Sequence, residues 1–270
     1  MVVIFDLGGT KMRLALYEHG KMSTIHRFET DRSTAGFAKF LDAIETLSAG
    51  KNVSAVIGGM VGQLRGDAGE LTIASNLPNW LGIPVLARIK EIMNCPVFVA
   101  NDVELCGLGE SRYGAGTTNG VMVYYTISTG VNAVRIVGGI VDHTISRYEL
   151  GHQIINYGDG GFQTLESQIG GAAIAKRFEQ QPRDIKDPAV WNEIAHFLAA
   201  GLYNTVLYWD PAVVVFGGSM MRDINLAVVA ERLATLPAMF ECVPKLVTAR
   251  LGDESGLFGA MAWSDILGYK

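Results

Sequence analysis

The sequence predicts a two-lobed α/β protein with a duplicated mixed-sheet domain. Three observations carry that expectation. A three-strand meander followed by alternating helix and strand occurs from residue 2 and again from about residue 120. The chain opens on an apolar strand that ends Asp6-Leu-Gly8-Gly9-Thr10-Lys11. Its 270 residues are 49% hydrophobic and 18% charged with 32 glycines, enough for two lobes that each bury a core.

Residues 2–6, 12–18 and 22–29 read as the first meander, with turns at Gly8-Gly9 and His19-Gly20. Residues 34–48 have helical spacing, with Phe37, Phe40, Leu41, Ile44 and Leu47 on one face and Ser33 as the N-cap. Val53–Ile57 reads as a buried strand closed by Gly58-Gly59, followed by a loop-rich stretch to Pro84, a helix to about Met93 and the strand Val97–Ala100. The second half reads as strands near 120–127, 130–137 and 140–145, helices near 165–179 and 189–209, a strand at 212–216, a helix at 222–236 and the strand Lys245–Ala249. A last helix runs from about Ser255 to Leu267. The expected domains are a small lobe over 1–110, joined by the terminal helix 255–270, and a large lobe over 111–254. A short hinge is expected near 103–119 and 250–256, with a nucleotide gripped between the two lobes.

Composition excludes several classes. A net charge of −5 without Lys/Arg clusters argues against nucleic acid as a partner. No apolar run reaches the roughly 18 to 20 residues a membrane span needs. A strand begins at the second residue, so no signal peptide is expected and the predicted location is cytoplasmic. Cys95, Cys106 and Cys242 are scattered and odd in number, and read as buried apolar residues in a reducing compartment.

The opening motif carries chemistry. Glycines let backbone N–H groups approach an anion, but an acid beside that turn would repel a bare phosphate. A divalent cation between the two resolves the conflict, as when Mg²⁺ bridges nucleotide phosphates. An ordinary Gly-Gly hairpin with a capping Asp is the competing reading of these residues alone.

Seven segments in order resemble the ROK family of sugar kinases and sugar-responsive repressors, over essentially the whole chain. They are Asp6–Lys11, Ser75-Asn76-Leu-Pro-Asn-Trp80, Asn101–Glu110, Ser128-Thr129-Gly130, Glu149-Leu-Gly-His152, Leu165-Glu166 and Asp210–Gly218. The resemblance implies the ribonuclease-H-like fold of actin and hexokinase. It implies an ATP- and Mg²⁺-dependent kinase for the 6-hydroxyl of a hexose. Glucose is the default substrate, and N-acetylmannosamine, N-acetylglucosamine, mannose and fructose are compatible. A non-catalytic sugar sensor of the repressor branch is the alternative. A homodimer is implied as well.

The implied roles are specific. Asp102 is the base that takes the hydroxyl proton. Asn76, Asn101, Glu149, His152 and Glu166 contact sugar hydroxyls. Gly8, Gly9, Thr10, Thr129 and Gly130 donate to phosphates, Asp6 holds Mg²⁺ through water, and Gly217-Gly218 lie under the adenosine. Lys11 is expected to be a solvated hairpin residue. Three departures from the family's pattern stand out. Structural zinc is not expected, because Tyr157–Thr164 has no cysteine where the family carries three beside the histidine. The second phosphate loop, usually Gly-Thr-Gly-x-Gly-Gly, runs Ser128-Thr129-Gly130-Val131-Asn132-Ala133, and Asn132 and Ala133 are expected to crowd the nucleotide. Gly58-Gly59-Met-Val-Gly62 replaces the family's Pro-Gly-Pro segment.

Overall fold

A computed structural model describes every residue except 75, 143–147, 159–160, 238–242 and 270. Ser75, Cys242 and the end of the strand expected at 140–145 therefore lie outside the described residues. The chain divides into two units, Met1–Gly109 with Asp253–Lys270, and Glu110–Gly252.

In the first unit β1 (Val2–Leu7) pairs antiparallel with β2 (Lys11–Glu18), and β2 pairs with both β3 (Lys21–Met22) and β4 (His26–Glu29). The single strand expected over 22–29 is thus two pieces. Ser23 Oγ accepts the Leu16 N–H at 2.9 Å, so a side chain takes the place of a ladder carbonyl and pairing lapses. Helix α1 (Gly36–Ser48) starts later than expected and Ser33 does not cap it. The Ser33 N–H instead donates to Asp31 Oδ1 at 2.9 Å, an Asx turn, and its carbonyl accepts from Gly36 at 3.0 Å.

Strand β5 (Ala55–Met60) runs through Gly58-Gly59 rather than ending before them, parallel to β1. A Cβ on Gly58 would stand 2.4 Å from the Phe5 ring, so this glycine serves close packing inside a strand. The stretch expected to be loop holds a small hairpin, β6 (Gln63–Arg65) and β7 (Glu70–Ile73). Helix α2 (Val85–Met93), β8 (Val97–Asn101) and α3 (Asp102–Tyr113) follow.

The second unit holds β9 (Val121–Ile127), β10 (Val131–Val137), β11 (Ile140–Val141), the hairpin β12 (Ile154–Gly158) and β13 (Gly161–Thr164), α4 (Leu165–Ile169), α5 (Gly171–Phe178), α6 (Pro188–Trp209), β14 (Val213–Gly217), α7 (Leu226–Ala234) and β15 (Lys245–Thr248). Helix α8 (Ser255–Leu267) returns to the first unit. The helix expected over 165–179 is divided by the extended Gly170, and the one expected from 222 begins at Leu226, where Asn225 caps Ala227.

The main sheets run β3-β2-β1-β5-β8, with β4 also on β2, and β11-β10-β9-β14-β15. In both, the successive pairings are antiparallel, antiparallel, parallel and parallel. That identity of order and direction is the duplication. In the first unit Phe5 meets Phe40 and Phe37 meets Trp80 edge-on, at centroid distances of 5.1 and 5.4 Å. In the second, Leu198 and Leu202 of α6 are buried in one cluster with Tyr125 and Phe216, which stack at 5.6 Å. Cys95 and Cys106 are half-buried rather than buried. Among the described residues no helix is long and apolar enough to cross a membrane.

Candidate active site

The carboxyl ends of β1 and β8 carry two acids, Asp6 near the end of β1 and Asp102 just after β8. Register places Asp6 beside Gly59, and Gly59 beside Ala100. A Cβ on Gly59 would lie 3.3 Å from the Asp102 Cα, so the glycine admits the start of α3 next to Asp6. Burial pushes the Asp6 carboxyl up to about 7, the charge of Asp102 adds in the same direction, and Arg13 pulls it back.

Asp102 owes its place to a capping box. Asn101 Oδ1 accepts the Val103 N–H at 3.0 Å, and Glu104 Oε2 accepts the Asn101 N–H at 3.2 Å. Asp102 Oδ1 also accepts from Val103 at 3.0 Å, which puts this carboxylate at the positive end of α3. Asn101 Nδ2 donates to the Gly62 carbonyl at 3.2 Å. Both polar ends of Asn101 thus hold the loop that presents Asp102.

Asn76 sits on a loop anchored by the buried Leu77 and Trp80, whose Nε1 donates to the Ser33 carbonyl at 3.1 Å. A Cβ on Gly9 would stand 2.5 Å from the Asn76 Cβ, so the first turn and the Asn76 loop touch. Within that turn the Gly8 N–H donates to the Lys11 carbonyl at 2.9 Å. Gly8 is therefore a turn residue whose amide is taken. Lys11 is exposed and pairs with Asp253 at 3.4 Å.

The second unit brings the second turn against both predicted sugar carboxylates. The Val131 N–H donates to Glu166 Oε2 at 2.8 Å. Asn132 Nδ2 donates to Glu149 Oε2 at 3.3 Å, and Asn132 Oδ1 accepts the Leu150 N–H at 3.2 Å. The Asn132 amide is thus directed at the 149–150 segment. Gly151 permits this contact, since a Cβ there would lie 2.0 Å from the Val131 carbonyl oxygen. His152 is exposed at the end of the same short turn, and Thr129 and Gly130 lie at the tip between β9 and β10. Gly217 and Gly218 pack on β9: their Cβ atoms would stand 2.3 Å from the Tyr124 hydroxyl and 2.2 Å from the Ile127 carbonyl. Backbone packing therefore requires these glycines on its own account.

Reasoning from the sequence missed Arg13, Asp253 and the part played by Asn132. A lone arginine in the otherwise apolar core of β2 was the available signal for the first. Among the described residues no group of three His, Cys, Asp or Glu side chains forms a metal cluster, and the 157–164 segment does not fit a thiolate zinc site. A recess of about 640 Å³ near Leu14, Phe28 and Asp42 contains none of the predicted site residues.

Two sheets of one topology, with an acid pair and glycine turns at their strand ends, define a duplicated two-domain protein of the actin and hexokinase class. The ROK family profile matches residues 2–265, and the chain belongs to that family. The ROK hexokinase of Thermus thermophilus superposes with a TM-score of 0.84 at 26% identity, covering 99% of each chain. The glucokinase of Pyrobaculum calidifontis is 26% identical over 98% of this chain and 94% of its own. The bifunctional enzyme NanE/NanK of Brucella suis is 29% identical over 96% of this chain, which spans 52% of that protein.

Proposed function

We propose that this chain is an ATP- and Mg²⁺-dependent hexose kinase that phosphorylates the 6-hydroxyl, with glucose the first substrate to test. The observation that carries the reading is the Asp6–Asp102 pair, one acid buried and the other held by a capping box on α3. A sugar hydroxyl is a poor nucleophile at neutral pH, and Asp102 accepts its proton as the phosphoryl group transfers. Family membership and the names of two relatives, a glucokinase and a hexokinase, support the same reading.

The donor set fits a divalent cation: Asp6 is buried next to a second acid, and Arg13 offsets only part of that charge. When bound, Mg²⁺ neutralises the nucleotide's phosphates, and Asp6 is the residue that would hold it. Gly9 and Thr10 in the first unit, and Thr129 and Gly130 in the second, are the proposed phosphate contacts. Gly217 and Gly218 are proposed to lie against the adenosine. Asn76, Asn101, Glu149, His152 and Glu166 are the proposed contacts to sugar hydroxyls, and Asn101 also holds the turn that presents Asp102.

The test is ADP release across a panel of hexoses, with wild type and Asp102→Asn run side by side and each repeated in EDTA. Sugar-dependent turnover that needs Mg²⁺ and falls about 10²- to 10⁴-fold in the variant, with sugar binding kept, is the expected result. No turnover with any sugar, or full activity in the variant, overturns the proposal.

A further inference from the structure

The start of β10 holds both carboxylates that the proposed function directs at sugar, and it does so through consecutive residues. Val131 holds Glu166 with its backbone N–H at 2.8 Å. Asn132 holds Glu149 with its side-chain amide at 3.3 Å. The other end of that amide fixes the chain itself: Oδ1 accepts from Leu150 at 3.2 Å and from Ala133 at 2.8 Å. Asn132 therefore sets both where Glu149 begins and where its carboxylate points. A glycine here would offer neither contact.

We infer that Asn132 is a positioning residue for sugar recognition, orienting the Glu149 carboxylate and so setting which hydroxyl configuration of a neutral hexose is accepted. The inference rests on the sugar-kinase reading. The chemistry explains why the donor matters. A carboxylate offers about four acceptor sites, and engaging one oxygen decides which of the rest face a ligand hydroxyl. A site that recognises hydroxyls by well-placed hydrogen bonds discriminates strongly against a ligand whose hydroxyl points elsewhere. With two carboxylates in this wall, a sugar acid is repelled and a neutral polyol is favoured.

Asn132→Asp separates orientation of Glu149 from simple support of the loop. It keeps an oxygen for the Leu150 and Ala133 N–H groups but replaces the donor with a second anion facing Glu149. The measurement is calorimetric binding of glucose, mannose and N-acetylmannosamine without nucleotide, then KM for sugar and for ATP. Wild type, Asn132→Asp, Asn132→Gly, Glu149→Gln and the double variant Asn132→Asp/Glu149→Gln are compared, with thermal melting as the fold control.

Asn132→Asp is expected to weaken sugar binding about tenfold or more and to change the preference among epimers. KM for ATP should stay within about twofold, because the altered contact is to a sugar-binding carboxylate. Placed on Glu149→Gln, the same change should lose most of its effect, the non-additivity expected of two groups acting through one bond. Asn132→Gly should alter the preference in a folded protein even where Asn132→Asp fails to fold. Wild-type affinities and preferences in the Asn132 variants overturn the inference alone. So does an undiminished effect of Asn132→Asp on the Glu149→Gln background. A wild type that binds none of the hexoses overturns the kinase reading and this inference together.

Discussion

Arg13 Nη1 donates to Asp6 Oδ2 at 3.1 Å across the β1–β2 pair, while Nη2 of the same guanidinium donates to Asp253 Oδ2 at 3.0 Å. One planar fork thus links an acid 7 residues before Arg13 to an acid 240 residues after it. The two halves differ in setting: the Arg13 and Asp6 side chains are each about one-tenth exposed, whereas Asp253 is 73% exposed.

That asymmetry predicts unequal costs. Arg13→Met strips the buried Asp6 of its counter-ion and hydrogen-bond donor. Because burial already holds that carboxyl up to about 7, it takes up a proton rather than staying charged, and the cost is about 1–3 kcal/mol. Asp253→Asn should cost under about 1 kcal/mol, because an exposed ion pair is screened by water. Arg13→Lys should fall in between, since an ammonium cannot serve both acids with the geometry of a fork. Urea unfolding of the three variants checks the order, and equal losses for Arg13→Met and Asp253→Asn would refute it.

Gly58 and Gly59 are neighbours on one strand with opposite tolerances. A Cβ on Gly58 meets both the Phe5 ring and the Phe5 carbonyl oxygen, at 2.4 and 2.5 Å, and neither can retreat from a fully buried β1–β5 pair. Gly58→Ala should therefore cost about 1–3 kcal/mol or more as overpacking. On Gly59 the nearest atom is the end of the flexible Leu105 side chain at 3.1 Å, followed by the Asp102 Cα at 3.3 Å. Gly59→Ala should leave the melting temperature within a few degrees of wild type while lowering turnover, because it presses on the residue proposed as base. Parallel melting curves and activity assays separate the two, and a Gly58→Ala protein as stable as wild type would contradict this account.

What was legible in the sequence was local. The Asp6 turn, the His19-Gly20 turn and the buried Phe37, Phe40, Leu41 and Ile44 of α1 follow from a few consecutive residues, and each forms where expected. The strand's passage through Gly58-Gly59 was hidden because glycine signals a break by propensity, while at Gly58 the Phe5 ring leaves no room for a side chain. The bond from Asn101 to Gly62 was not legible, because its partner lies 39 residues upstream. Asp253 was invisible for the same reason. Its partners Lys11 and Arg13 are 242 and 240 residues away, and no pattern within a window reports such a pairing. The contacts of Asn132 were not legible, because its partners Glu149 and Leu150 come from a segment 17 and 18 residues downstream.

The core of the second unit carries a pH signature. Tyr125 is fully buried, and its hydroxyl lies 2.5 Å from Thr205 Oγ1, which in turn donates to the Gly201 carbonyl at 3.1 Å. Burial pushes the Tyr125 phenol up to about 12, with the Thr205 and Gln153 hydrogen bonds pulling back. The sign follows from which state keeps its proton. In the unfolded chain a tyrosine ionises near 10, whereas the native phenol holds its proton to about 12. Below pH ~10 both states are neutral and the contribution is constant. Above that, the unfolded state is stabilised by losing a proton that the native state retains, so stability falls as pH rises, by about 1 kcal/mol at pH ~11. Tyr125→Phe removes the titrating group while keeping most of the ring's packing, so it should be less stable than wild type at pH ~8 through the loss of the Thr205 bond, yet the gap should narrow as pH approaches ~11. Urea unfolding of both proteins across that range measures the convergence. A gap that stays constant from pH ~8 to ~11 would mean that Tyr125 ionises equally readily in both states, and that its burial has no bearing on alkaline stability.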